Sequence, residues 1–340
     1  MSEETDELHP RTTTAWFGHA EAERALLQAY QTGRIAHAWL IGGPPGIGKA
    51  TLAYRMARFV LANPDPTAAT VQTARDLSVP ADHPASRRIA GEAHGDLLAL
   101  ERVLNDKGKL NTTIRIEQVR RTVGFFGSTS SEGGWRIAIV DAVDDLQKEG
   151  ENALLKILEE PPPRSLLLLI SHAPGRVLPT IRSRTRRLLL RPLDTDTVAQ
   201  AVANATGRAA NDTELWAAAQ ASDGSVARAL ELLDSDALAL RQTVVDLLAR
   251  LPSTDPRALH ALGDALGGSE PKTLAVFLDL VNQWLAERLT QDKADSGKAA
   301  RTADAFATIN QAAREADAYN LERKPLVFKV FGLLAETARG

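Results

Sequence analysis

There is no cysteine among the 340 residues. That excludes a disulfide framework, a thiolate metal site and a cysteine nucleophile, and it fits a reducing compartment. No apolar run approaches the roughly 18–20 residues of a membrane span; the longest, over 166–170, has the length of a strand. The segment from Met1 to Pro10 is acidic and polar, without the apolar stretch of a secretory signal, so the expectation is a soluble, cytoplasmic protein. An excess of positive charge is lacking too. Lys and Arg number 40 against 43 Asp and Glu, a balance of −3 that excludes a uniformly basic nucleic-acid coat but not a local basic patch. The seven His follow no metal-ligand spacing, and no G-x-S-x-G elbow supports hydrolase chemistry of that type.

What is present is enough chain for two or three domains. The first half alternates β-type runs over 38–41, 97–101, 136–140, 166–170 and 187–190 with helical stretches. This pattern predicts an α/β fold, a parallel sheet with helices on both faces. Between the first two strands, residues 63–95 carry Pro64, Pro66, Pro80 and Pro84 and give no regular pattern. After Pro192 strand signals stop. Short helices are expected over 194–205, 213–221 and 225–233, then longer amphipathic helices to the end, broken at 252–256, 267–271 and 291–297.

Gly43-Pro44-Pro45-Gly46-Ile47-Gly48-Lys49 fits the first seven positions of the G-x-x-x-x-G-K-[ST] phosphate loop, with a strand before it and a helix over 51–61 after it. Glycines let backbone N–H groups close around phosphate oxygens, the helix N-terminus adds its positive dipole end, and Lys49 supplies a charge. The eighth position is Ala50, where Ser or Thr gives a hydroxyl to Mg²⁺. Thr51 follows, about 100° further round the helix, and remains a candidate for an α-phosphate. The strand over 136–140 ends in Asp141, the form of a metal-holding carboxylate, but Ala142 stands where many ATPases carry a water-polarising Glu. Asp141 as a cap of the next helix, expected over 145–160, is an equal alternative. With two groups missing from two motifs, hydrolysis at this site is not expected.

The segment Arg182-Ser183-Arg184-Thr185-Arg186-Arg187 precedes the last strand. Dense arginines usually form a solvated face. Their location equally allows one guanidinium to fork onto the γ-phosphate of a neighbouring subunit. His172 stands where a polar sensor of a γ-phosphate at the chain's own loop belongs, although a lone His after a strand is more often structural.

These residues resemble a known family. Gly18-His19, the run from Ile35 to Leu40, the loop from Gly43 to Lys49, Asn152-Ala153-Leu154-Leu155-Lys156-Ile157-Leu158-Glu159-Glu160-Pro161-Pro162 and Leu178-Pro179-Thr180-Ile181-Arg182-Ser183-Arg184 are similar to the clamp-loader AAA+ proteins. The likeness is strongest to the delta-prime branch in bacterial DNA polymerase III, of an alphaproteobacterial type, and covers about 18–190. It implies an AAA+ P-loop domain over 1–191, a small helical lid over 192–236 and a C-terminal helical collar over 237–340 that joins a ring. The implied role is a stator in a DNA-directed DNA polymerase holoenzyme, a nucleotidyltransferase complex. It has no ATPase of its own and a degenerate nucleotide site at Gly43, Gly46, Gly48, Lys49, Ala50, Thr51 and Asp141. The implied catalytic group is Arg184, presented in trans to the ATP of an adjacent gamma/tau subunit. Implied partners are gamma/tau, delta, the β sliding clamp and primer–template DNA, with no membrane. No cofactor is required, and ATP or ADP held without hydrolysis is compatible with the loop.

Departures from the family pattern are Thr185 in place of a Cys, Ala227 in place of a sensor arginine with Arg228 one step off, and no four-cysteine zinc insertion after the loop helix. Zinc is therefore not expected. A partly buried collar face including Trp284 and Leu285 is expected to mediate assembly. The alternatives from other classes are a self-sufficient DNA-dependent P-loop ATPase, which Ala50 and Ala142 disfavour, and a small-molecule P-loop kinase, which leaves the helical half unexplained.

Overall fold

The computed structural model describes residues 8–104, 110–127, 134–233, 237–267, 271–291, 295–318 and 321–339. The chain divides into two compact units, Met1–Leu230 and Glu231–Gly340.

The first unit holds a sheet of five parallel strands, β1 (Ala38–Gly42), β2 (Leu97–Glu101), β3 (Arg136–Asp141), β4 (Ser165–Ser171) and β5 (Arg186–Leu189), in the order β2-β3-β4-β1-β5. Every strand expected from the sequence forms, each within a residue of its expected bounds. The apolar runs are continuous because both faces are covered. Trp39, Ile41, Ile137, Ile139, Leu166 and Leu168 face one core, under α1 (Ala20–Gln31) and α2 (Lys49–Ala62). Their neighbours Ala38, Leu40, Ala138, Val140, Leu167 and Leu169 face the other, under α3 (Ile116–Gly127) and α4 (Lys148–Glu159). The period-two alternation of a strand thus sorts one apolar run between two helical layers.

Helix α4 starts later than expected. A short turn, Val143–Asp145, precedes it, and Gln147 sits at its N-cap without a side-chain cap bond. Asp141 therefore does not cap this helix, which removes that alternative. Pro161 ends it, since proline has no N–H to continue the ladder.

The Pro-rich stretch after α2 is ordered on the sheet's first layer. It contains short helices at Ala69–Gln72 and Pro84–Ala90 and buries Val71, Leu77, Val79 and Ile89. Its anchors are polar. Gln31 Nε2 donates to Val71 O at 2.8 Å and Ala74 O at 3.1 Å, and Trp135 Nε1 donates to Pro64 O at 3.1 Å. Leu77 N donates at 2.9 Å to Glu23, whose carboxylate also takes Arg55 Nε at 2.6 Å; both charged side chains are buried. Arg55 in turn donates to Thr14 O, and Arg58 to Arg11 O, so the segment before α1 is strapped onto α2.

Three short helices follow the sheet: α5 (Thr195–Thr206), α6 (Thr213–Ala221) and α7 (Val226–Leu233). Asp194 caps α5 by accepting from Thr197 N, and Asp212 caps α6 by accepting from Glu214 N and Leu215 N. The unit division falls at Leu230–Glu231, inside α7, whereas the sequence reading divides at 236–237. Residues 234–236 lie outside the described residues, as do parts of the expected breaks at 267–271 and 291–297.

The second unit consists, among the described residues, of helices α8 (Ala237–Ala249), α9 (Pro256–Gly267), α10 (Pro271–Gln291), α11 (Ser296–Ala318) and α12 (Arg323–Arg339). They pack around Val244, Leu262, Phe277, Val281, Ile309, Val330 and Phe331. Here one expectation is corrected. Leu285 is 1% exposed and belongs to this core, because its position on α10 faces the packed interior of the helices rather than solvent. Trp284 is partly buried beside the core with the Arg288 guanidinium 5.5 Å from its ring, a cation–π contact within its own helix. Leu285 is thus a core residue, while Trp284 keeps part of its surface exposed.

Candidate functional site

The phosphate loop leaves the C-terminal end of β1, in the interior of the sheet between β4 and β5, and runs into α2. Gly46 and Gly48 take φ of 76° and 94°, a region that favours glycine. Gly46 is required for a second reason. A Cβ there would stand 2.1 Å from Ser225 Oγ and 3.0 Å from the Ala227 side chain. Ser225 and Ala227 open α7, so the third helix after the sheet rests directly on the loop, and Ala227 N donates to Gly46 O at 3.2 Å. Three further loop carbonyls are engaged. Pro44 O accepts from Lys49 Nζ at 2.5 Å, Ile47 O from His19 Nε2 at 2.9 Å, and Gly48 O from Leu52 N at 3.0 Å.

Lys49 is 3% exposed, and its ammonium folds back on the loop. Burial pushes its pKa down to about 8, against the pull of Asp141 and Asp144. Asp141, at the end of β3, is pushed above the usual carboxylate range, first by burial and then by Glu101 and Asp145, with His172 and Lys49 opposing. Desolvation, helped by Lys49, moves His172 below the ordinary imidazole value, against the nearby carboxylates. Thus Lys49, Asp141 and His172, far apart in sequence, share one electrostatic site. Ala50 packs its methyl against the apolar core.

The donor set for Mg²⁺ is incomplete: Asp141 keeps the metal-holding carboxylate, but Ala50 offers no hydroxyl and Asp144 is committed elsewhere. Its two oxygens accept from Ser171 Oγ at 3.0 Å, His172 N at 2.7 Å and Ala173 N at 3.2 Å, which fixes the turn after β4. That role was not visible in the sequence, since its partners lie 27–29 residues away. The loop amides and the α2 dipole still suit a phosphate in chemistry, but α7 is seated on Gly46 and Lys49 is turned into the loop. Arg228 does not reach toward the loop; its guanidinium pairs with Asp223 at 2.9 Å.

Burying the Lys49 ammonium costs stability below about pH 8, and the cost fades as pH rises from 8 toward the ordinary 10.5, because the unfolded chain binds the extra proton in that window. Lys49→Met is therefore expected to raise stability at neutral pH by about 1–2 kcal/mol and to flatten the rise above pH 8. Urea unfolding at pH 7 and pH 10 checks this.

Arg184 stands elsewhere. The strands are parallel, and the register sets Arg186 beside Trp39 near the start of β1 and Leu189 beside Gly42 at its end. Arg184 therefore lies beyond the entry end of the sheet, while the loop lies beyond the exit end. At least three strand steps, roughly 10 Å, separate the two levels. Its side chain is 37% exposed and donates to Glu159 Oε1 at 3.0 Å, Thr180 O at 3.1 Å and Ser183 Oγ at 3.3 Å. Thr185 bonds within the same turn, to Arg182 O, and leaves Arg184 untouched.

A five-stranded parallel sheet carrying a glycine loop from an interior strand, with α7 resting on that loop, defines a P-loop nucleotide-site module. The family described as DNA polymerase III, delta subunit, matches residues 18–194, just over half of the chain. The chain belongs to that family and is delta-prime-like within it. It is 38% identical over 149 residues to the DNA polymerase III subunit delta' of Pseudomonas aeruginosa, covering 44% of this chain and 41% of that one. It is 30% identical over 287 residues to the gamma/tau subunit of Mycobacterium tuberculosis, covering 77% of this chain and 46% of that one. The matches thus span less than half the length of these relatives. A gamma subunit-related protein from Thermotoga maritima aligns over 95% of this chain and 100% of its own, at 14% identity and a TM-score of 0.44.

Proposed function

We propose that the chain is the stator of a DNA polymerase III clamp loader. In this reading it does not turn over ATP, and its own degenerate site, Gly43 to Thr51 with Asp141, serves as a structural joint. Residues 192–236 act as a lid and 237–340 as a collar. Arg184 is donated in trans to the ATP of an adjacent gamma/tau subunit, and with delta the assembly places the β sliding clamp on primed DNA.

One observation carries the reading. Arg184 stands beyond the end of the sheet opposite to the chain's own phosphate loop, so if its guanidinium serves a γ-phosphate, that phosphate belongs to another subunit. The missing hydroxyl at Ala50 and the α7 turn seated on Gly46 support a silent site beside it. A trans arginine is a fitting group for this task, being always protonated and forked for phosphate oxygens.

The test is clamp loading onto primed DNA by the reconstituted assembly. Lys49→Ala in this chain is expected to leave the loading rate within about two-fold of wild type, since a silent phosphate loop contributes no turnover. A loss of ten-fold or more, with assembly intact by gel filtration, contradicts the silent site.

A further inference from the structure

The function just proposed uses Arg184 but not the residue that holds it. Glu159 is the last residue of α4, within the Leu158-Glu159-Glu160-Pro161-Pro162 string, and its carboxylate takes Arg184 Nη2 at 3.0 Å. The other terminal nitrogen donates to Thr180 O and Ser183 Oγ, both one short turn away in the chain. Both terminal nitrogens of the guanidinium are therefore engaged on the subunit's own surface.

We infer that Glu159 is a placeholder anion that occupies Arg184 until the neighbouring subunit's phosphate replaces it. The inference rests on the reading of Arg184 as a trans finger. Three features support an exchange rather than a permanent bond. First, the pair is open: the side chains are 37% and 51% exposed, so water screens their attraction and the hold is weak. Second, the pair uses one nitrogen, Nη2, on one carboxylate oxygen, a contact that a phosphate oxygen can make equally well. Third, a triphosphate carries more negative charge than the carboxylate it displaces, which sets the direction of the exchange once a subunit docks. The bonds to Thr180 and Ser183 come from the turn that carries Arg184 and can persist, so the arginine keeps its aim while changing its anion.

The account makes Glu159 a competitor of the neighbouring nucleotide. The experiment titrates a non-hydrolysable ATP analogue into the reconstituted assembly of this chain with gamma/tau and delta. Glu159→Gln keeps the shape and removes the charge. It is expected to tighten analogue binding about two- to five-fold at low salt, the range an exposed ion pair commands, with the gain shrinking at high salt. Glu159→Ala should do the same, and in an Arg184→Ala background neither change should alter affinity. Unchanged or weakened binding in Glu159→Gln and Glu159→Ala, while Arg184→Ala still depresses turnover, overturns the placeholder and leaves the finger standing. If Arg184→Ala itself leaves turnover unchanged, the finger fails, and the inference with it.

Discussion

Replacing Arg184 with Ala is expected to slow hydrolysis at the adjacent gamma/tau site by about 10³-fold or more, the lower end of what a trans arginine contributes to phosphoryl transfer. The reason is electrostatic. Charge spreads over the equatorial oxygens of the transferring phosphoryl group, and a guanidinium held in place beforehand meets it without reorganisation. Folding should be unaffected, because Arg184 is surface-lying and its partners Glu159, Thr180 and Ser183 remain solvated when it is removed. Arg184→Lys should recover only part of the rate, since an ammonium is a point charge rather than a fork. Single-turnover hydrolysis in the reconstituted assembly, with circular dichroism and gel filtration as controls, reads the effect. A rate within two-fold of wild type refutes the finger.

The largest stability effect is expected at Glu23. Its carboxylate is buried and serves two groups at once, the Arg55 guanidinium at 2.6 Å and the Leu77 amide at 2.9 Å. Glu23→Ala leaves the Leu77 amide without its acceptor and Arg55 with only Thr14 O at 3.0 Å and the Asp76 carboxylate at 3.8 Å. Breaking a buried pair from one side costs about 3–5 kcal/mol, and these remaining partners place the change at the lower end of that range. Glu23→Gln retains an acceptor for Leu77 and removes only the charge, so it should cost roughly half as much. Changing Glu23 and Arg55 together to apolar residues of similar size should recover most of the loss. The damage should be local as well as global. Arg55 also holds the segment before α1 through Thr14 O, and Leu77 anchors the stretch after α2. Urea unfolding gives the free energies, and hydrogen exchange at Leu77 reports the anchor. A loss below 1 kcal/mol for Glu23→Ala contradicts this assignment.

The strands and the phosphate loop were legible because their signals are local. A run such as Leu166–Leu169 is apolar at every position only when both faces are covered, and Gly46 and Gly48 flank a lysine at fixed spacing. The stretch 63–95 was not legible. Its apolar anchors Val71, Leu77, Val79 and Ile89 occur singly among prolines and polar residues, and its hydrogen-bond partners Glu23 and Gln31 lie in a different helix. Asp144 shows the same limit within the site. It lies two residues past Ala142, yet its oxygens are spent on the turn after β4. Leu285 shows it too: one turn of a helix carries both core and surface positions, and sequence alone does not fix which face of α10 meets the core. The contact of Ser225 and Ala227 with Gly46 spans about 180 residues and leaves only the glycine itself as a trace.

The measurement that bears most directly on the central claim is ATP turnover by the purified chain alone, and then by its mixture with gamma/tau, delta, clamp and primed DNA. The stator account predicts no turnover by the chain alone and strong turnover in the mixture that falls when Arg184 is replaced by Ala. Robust turnover by the chain alone, abolished by Lys49→Ala, would contradict it and make this protein a motor.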